Sequence, residues 1–235
     1  MYGINFNGKH SYNDFGITIA DKNIGFPEKE KIKVKVPFSN VEYDFSQLYG
    51  EQTYTPRPLT YTLNVLSKKP TTEKINVIET QLSNWLMNSN GKQKLYDDAI
   101  PGYYFLAEVE KGLSFDELWN SGKLTVEFTA YPFMIAELPE GHDIWDEFNF
   151  DLDVAQPVEF TVNGTLDVTL FNVGTPSITP EIEASGPMEI LKDGITYYVP
   201  TGKSKSDDFK LQTGENHLTI TGDGSIKFLF YKELI

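Results

Sequence analysis

Side chains able to do chemistry are sparse in this 235-residue chain and lie far apart. The three histidines, His10, His142 and His217, show no HExxH-like spacing, which would set two imidazoles on one helix face around a zinc ion. His142 stands next to Asp143 and near Glu140, an oxygen-rich trio that could hold a hard cation weakly. A solvated acidic stretch accounts for it better, because runs of like charge face water. With no cysteine, thiolate metal sites, disulfides and thiol catalysis are excluded. No Walker loop, GxGxxG or GxSxG occurs, and Gly202-Lys203-Ser204 lacks the upstream glycine of a phosphate loop. No metal and no other cofactor is expected.

Carboxylate chemistry fares no better. Glycoside hydrolysis needs two acids held about 5 to 9 Å apart across a sugar cleft. Among 34 acidic residues some pair meets that by chance. The adjacent pairs Asp97-Asp98 and Asp207-Asp208 would point to opposite faces of a strand or serve the backbone of a turn. Tyr103, Tyr104, Phe105, Trp119 and Trp145 could make a sugar-stacking platform, although aromatics more often anchor cores and interfaces. Asn163-Gly164-Thr165 matches a glycosylation sequon and reads as a turn. The absence of a catalytic cluster points away from an enzyme.

The elements that would position these residues are mostly strands. Lys31 to Val36, Leu124 to Ala130 and, more weakly, Tyr61 to Val65 alternate at period two, as strands with one wet face do. The second half reads as short strands at 158–162, 166–171, 181–184, 189–191, 196–199, 209–212, 217–221 and 225–231. Asn163-Gly164, Asn172-Val173-Gly174, Lys192-Asp193-Gly194 and Gly222-Asp223-Gly224 separate several of them, and such sequences favour tight hairpin turns. One amphipathic helix stands out at about 72–89, where Ile75, Ile78, Leu82, Trp85 and Leu86 share a stripe, Glu73 faces the positive end and Asn90-Gly91 stops it. The spacing of Ser114 to Glu117 fits a capping box and a second short helical turn.

The formal net charge of -14 argues against tight nucleic-acid binding, which depends on Lys and Arg. It is unevenly placed: residues 1–135 hold 14 basic and 16 acidic groups, residues 136–235 hold 6 and 18. Seven acids and no Lys or Arg lie between Glu137 and Asp153, so a domain boundary is expected at about 132–145, dividing 1–135 from 136–235. The 40% hydrophobic content is too rich for disorder, yet no apolar run approaches a membrane span. The start, Met1 to Gly8, lacks the basic and apolar regions of a signal peptide, so synthesis and first folding are expected in the cytoplasm.

An ordered series of segments carries a resemblance. It begins with Phe6-Asn7-Gly8-Lys9-His10-Ser11, Asp14-Phe15-Gly16-Ile17, Tyr43-Asp44-Phe45 with Gly50, and Tyr54 with Arg57. It continues through the helix ending near Trp85-Leu86, Leu95-Tyr96-Asp97-Asp98, Pro101-Gly102-Tyr103-Tyr104, the strand from Leu124 to Tyr131-Pro132, and Asn172-Val173-Gly174-Thr175-Pro176. In order and spacing these resemble the distal tail (Dit) proteins of long-tailed phages infecting Gram-positive bacteria. Val36-Pro37-Phe38-Ser39 stands where family members often carry a Pro-Gly or Gly-Gly turn.

The resemblance implies a mainly β chain of two sandwich-like domains, the first with one amphipathic helix and a projecting hairpin, the second galectin-like or carbohydrate-module-like. It implies a structural baseplate hub at the virion tail tip, assembled in the host cytoplasm. There, first domains form a homo-hexameric ring joining the tail tube protein to the tail-associated fibre or lysin protein. The acidic second domains hold receptor-binding components. Neither sequence-specific nucleic acid nor membrane is an expected partner. Tyr43, Arg57, Tyr103 and Tyr104 are the expected interface residues, with core service the equal alternative. A carbohydrate-binding adhesion module resting on Trp145, Tyr197 and Tyr198 is the competing reading, and a carboxylate-pair glycan hydrolase a third.

Overall fold

The computed structural model describes residues 2–48, 50–66, 72–118, 121–144, 149 and 151–235; Trp119, Trp145, Asp146 and Glu147 lie outside them. The chain is mainly β, and its sheets include a curled half-barrel. It divides into two compact units, residues 1–135 with 235, and residues 136–234. Among the described residues no helix is long and apolar enough to cross a membrane.

The first unit is built on β1 (Ile4–Phe6), β2 (Lys9–His10), α1 (Ser11–Phe15), β3 (Thr18–Ile24), β4 (Lys33–Lys35), β5 (Glu42–Asp44), β6 (Arg57–Leu66), α2 (Thr72–Met87), β7 (Gln93–Asp97), β8 (Tyr103–Glu108), β9 (Ser114–Leu118), β10 (Ser121–Ala130) and β11 (Met134–Ala136). The main sheet runs β2-β1-β7-β8-β10-β6-β3. Its centre is the β6–β10 pair, whose register sets Leu63 against Leu124, Tyr61 against Val126 and Leu59 against Phe128. These period-two residues are all buried, so one face of the pair is core throughout. The α2 stripe closes that core with Leu82, Trp85 and Leu86, and the partly buried Ile78 packs against them. Trp85 donates its indole N–H to the Phe6 carbonyl at 2.6 Å, and Asn7 caps the helix end by donating to the Asn88 carbonyl at 3.1 Å.

Ser114 to Leu118 is strand β9, not a helical turn. It pairs in register with β10, and the Phe115 ring lies over Gly122, where an added Cβ would come within 2.3 Å of it. A ten-residue partner strand outweighs a four-residue capping signal, because each ladder pair adds to the pairing while a cap acts once.

The second unit contains β12 (Glu159–Asn172), β13 (Glu181–Ala184), β14 (Met188–Lys192), β15 (Ile195–Val199), β16 (Gly202–Ser204) and β17 (Gly214–Leu229). Lys192-Asp193-Gly194 does turn a hairpin between β14 and β15, with Asp193 and Gly194 both at positive φ. Asn163-Gly164 and Gly222-Asp223-Gly224 do not. They face each other inside one continuous antiparallel ribbon, Gly164 opposite Gly222 and Asn163 opposite Asp223, so what read as four strands is two long ones. The glycines serve a bend at which β17 changes neighbours on its other edge. Residues 219–221 pair with β14 and 226–229 with β13. The β13–β14 connection tucks into the bend, where a Cβ on Gly224 would sit 2.3 Å from Ser185 Oγ.

The acidic segment after residue 136 is tied to this unit by a buried polar group. Glu140 is 8% exposed and accepts from Gln156 Nε2 at 3.1 Å, while Lys232 pairs with Asp153. Burial pushes the Glu140 carboxyl above its ordinary 4.5, against the hydrogen bond from Gln156 and the positive charges of Lys232 and His142. A carboxyl raised in the folded state adds stability below its unfolded value and loses it as pH rises through the folded value. Glu140→Gln should therefore gain stability relative to the wild-type chain as pH climbs from 4.5 toward neutrality. Paired denaturation curves over that range check this, and a difference independent of pH would contradict it.

Candidate functional site

The structure disperses the residues read as candidates for chemistry. Asp97 points inward, accepting from Tyr61 Oη at 3.0 Å, Lys22 Nζ at 2.7 Å and the Ala99 N–H at 2.9 Å. Burial and this carboxylate push the Tyr61 phenol up. Asp98 points the other way, to the Gly3 N–H and the His10 ring at 3.1 Å. Asp207 and Asp208 lie in a turn where the Asp208 N–H donates to Ser206 Oγ. His142 Nδ1 accepts from the Ile144 N–H, and Glu140 is committed to Gln156. Among the described residues no group of three or more His, Asp or Glu is arranged to hold a metal ion.

What the structure does assemble is an arm. The β3–β6 ladder continues past Ile24 and Leu59 through the Gly25 N–H to the Pro58 carbonyl, the Thr55 N–H to Glu28 and the Glu30 N–H to Thr53. It ends in the β4–β5 hairpin, a two-stranded sheet on its own. Register sets Val34 opposite Tyr43, with Lys33 opposite Asp44 and Lys35 opposite Glu42. One face is therefore charged, and its Lys33–Glu42 and Lys31–Asp44 pairs close at 3.2 and 3.4 Å. Ile32, Val34, Val41, Tyr43 and Phe45 fall on the other face by the same alternation. All five are exposed, Val34 at 52% and Tyr43 at 56%.

The hairpin is held in shape at both ends. At its base Ser46 Oγ accepts from the Ile32 N–H at 2.8 Å, and the Ser46 N–H donates to Asp44 at 2.9 Å. Hydrogen bonds from Ser46, then the nearby Lys31, pull the Asp44 carboxyl down to about 2. A depressed carboxyl contributes above its unfolded value and loses that contribution only as pH falls toward the folded one, so this tie is intact at neutral pH. At the tip, Val36-Pro37-Phe38-Ser39 closes with the Ser39 N–H on the Val36 carbonyl at 3.2 Å. Phe38 takes φ of 60°, the position glycine favours in a type II turn, and its ring is fully exposed.

The four expected interface residues occupy different places. Tyr43 is on the apolar face of the arm. Arg57 is at its root, 2% exposed, with its guanidinium 5.7 Å from the Phe26 ring and 5.5 Å from the Phe105 ring. Burial lowers its pKa, and among the described residues its Nε has no hydrogen-bond partner. Tyr103 opens β8, and Tyr104 packs on Tyr96 at 5.7 Å with Lys94 Nζ 4.2 Å from its ring centre. The sequence marked Lys31 to Val36 as a strand with one wet face and Phe38 as part of the turn after it; the exposure of Ile32, Val34 and Val41 and the packing of Phe26 on Arg57 left no signal in the spacing.

The chain matches no family model and no curated protein sequence. Its backbone superposes on the crystal structure of SPP1 Dit, over all of both chains, with a TM-score of 0.68 at 12% identity. The chain has the Dit fold. SPP1 Dit is described as a paradigm of the hub adsorption apparatus in phages infecting Gram-positive bacteria. Chains of the phage P2 baseplate in its activated conformation are also similar: one with Ca at TM-score 0.42, one with Sr at 0.40, each 9% identical. They span 100% and 99% of this chain, and 97% and 96% of their own chains are covered.

Phe38 sets the local test. A bulky residue at positive φ costs on the order of 1 kcal/mol, and an exposed ring gives little back in the free chain. Phe38→Gly should leave the free chain as stable or slightly more so by chemical denaturation. If the tip serves as a contact between copies, the variant also self-associates more weakly in sedimentation velocity; unchanged association would contradict that role.

Proposed function

We propose that this Dit-like chain is a structural, non-enzymatic hub component of a phage tail tip, in which copies join through the first unit into a six-membered ring. The reading extends to neighbours: a tail tube protein on one side of the ring, a tail-associated fibre or lysin protein on the other, and receptor-binding components held by the second unit. The observation that carries it is the uncovered apolar face of the arm, on a backbone similar to that of SPP1 Dit.

Physical chemistry favours this use of the arm. An isolated two-stranded hairpin is marginally stable in water, and contiguous exposed apolar surface on a folded chain marks a contact site. The five apolar side chains are half-exposed, so covering them would contribute on the order of 1 kcal/mol each. A closed ring uses a head-to-tail interface between two different patches, and an arm reaching from one copy to the next supplies one of them. Residues 1–135 carry a net charge of -2, against -12 for 136–235, which keeps repulsion among assembling parts low. The lack of a basic surplus suits a ring that passes DNA without holding it.

The Val34→Lys, Tyr43→Glu double variant, which puts opposite charges across the same cross-strand pair, tests the reading. Because neither side chain packs in the core, its folding should match the wild-type chain within about 0.5 kcal/mol. Sedimentation velocity and negative-stain images should show six-membered rings of the wild-type chain, at raised concentration or with the tube protein, and none of the variant. A wild-type chain that stays monomeric with either neighbour, or a variant that still forms rings, would overturn it.

A further inference from the structure

The second unit carries a small site that the hub reading does not use. On the outer face of its sheet, β14 sets Glu189 opposite Tyr198 of β15 and opposite Thr221 of β17, so the three side chains form one row across three strands. They border an open pocket of about 510 Å³, at the bend where Gly222 redirects β17. Tyr198 is 78% exposed, an unusual setting for a large ring, and no described residue of its own unit covers it. Met188 and Val199 turn toward the core on the other face and reach the pocket only at its edge, and Pro187 and Pro200 form stiff rims.

Further along the same face the polar groups are already paired. Thr219 donates to Asp167 at 2.6 Å, Thr169 and the His217 ring meet at 3.0 Å, and His217 lies 3.6 Å from Glu215. Among the described residues the side chains of Glu189, Tyr198 and Thr221 have no such partners. An exposed aromatic plate beside an unpaired carboxylate and an unpaired hydroxyl, between proline rims, is the chemistry that recognises a pyranose. The ring offers C–H groups to an aromatic face, and its hydroxyls donate to a carboxylate and exchange hydrogen bonds with a threonine.

We propose that this pocket binds one pyranose unit of an uncharged glycan, with Tyr198 as the stacking surface, Glu189 as acceptor for two ring hydroxyls and Thr221 as the third contact. The charge of the unit decides the class. With 6 basic against 18 acidic residues in 136–235, and Glu189 in the pocket, phosphate-bearing or uronic polymers are repelled. The two prolines decide against an extended peptide, because they offer no N–H to a strand adding at that end.

The test uses the full chain, with methyl resonances of Met188 and Val199 followed during titration with maltose, lactose, cellobiose and N,N′-diacetylchitobiose. At least one sugar should shift both methyls with a Kd on the order of 1 mM, as weak single-site recognition implies. Tyr198→Ala should weaken that binding at least tenfold and Glu189→Gln severalfold, both with unchanged spectra elsewhere and unchanged ring formation. No shift from any of the four sugars at about a hundredfold higher concentration, or equal affinity in Tyr198→Ala, would overturn the proposal. Shifts produced only by a proline-rich peptide or by a teichoic acid would overturn it too.

Discussion

A two-stranded ribbon has two faces and can neutralise only one of them by itself. In the arm, lysines and acids pair across the hairpin on one side, while Ile32, Val34, Val41, Tyr43 and Phe45 occupy the other, about half exposed among the described residues. Apolar surface left in water on a well-formed element is the constraint around which the first unit is organised. The β6–β10 core supplies stability that the ribbon cannot generate, and the ladder from β3 and β6 carries the ribbon out from it.

The root of the arm is where the two requirements meet. Arg57 closes the register of β6 against Ala130 and places its guanidinium between the ring of Phe105, in the core, and that of Phe26, on the arm. A buried cation held by aromatic faces is costly unless both rings stay in place, so it couples the direction of the arm to the packing of the sheet. At the other end a strained, solvent-facing Phe38 makes sense only for a turn whose tip has somewhere to go.

Much of this was legible in the residues. The stripe from Ile75 to Leu86 specified a helix, because five apolar side chains at helical spacing have no other way to share a face. Leu124 to Ala130 specified a half-buried strand in the same way. The turns were legible only where both strands are local. Asp193-Gly194 turns a hairpin, whereas Asn163-Gly164 faces Gly222 some sixty residues on, and a partner that distant leaves no mark on the dipeptide. At the site, the alternation from Lys31 to Val36 specified a strand with one wet face, whereas its apolar side is exposed as well, Ile32 and Val34 included. Arg57 was visible as a lone arginine among strands, and its burial follows from two rings far from it in sequence.

The two units divide the labour by charge as well as by fold. The near-neutral first unit holds the arm, and the acidic second one holds a solvated sheet with an open pocket. The most direct measurement uses the absence of cysteine, which lets one Ile32→Cys substitution carry a polarity-sensitive dye without side reactions. As the labelled chain is concentrated or mixed with the tail tube protein of the proposed ring, a blue-shifted emission and loss of access to an aqueous quencher are expected in step with any ring formation. Emission that stays water-like and fully quenchable while rings form would contradict this.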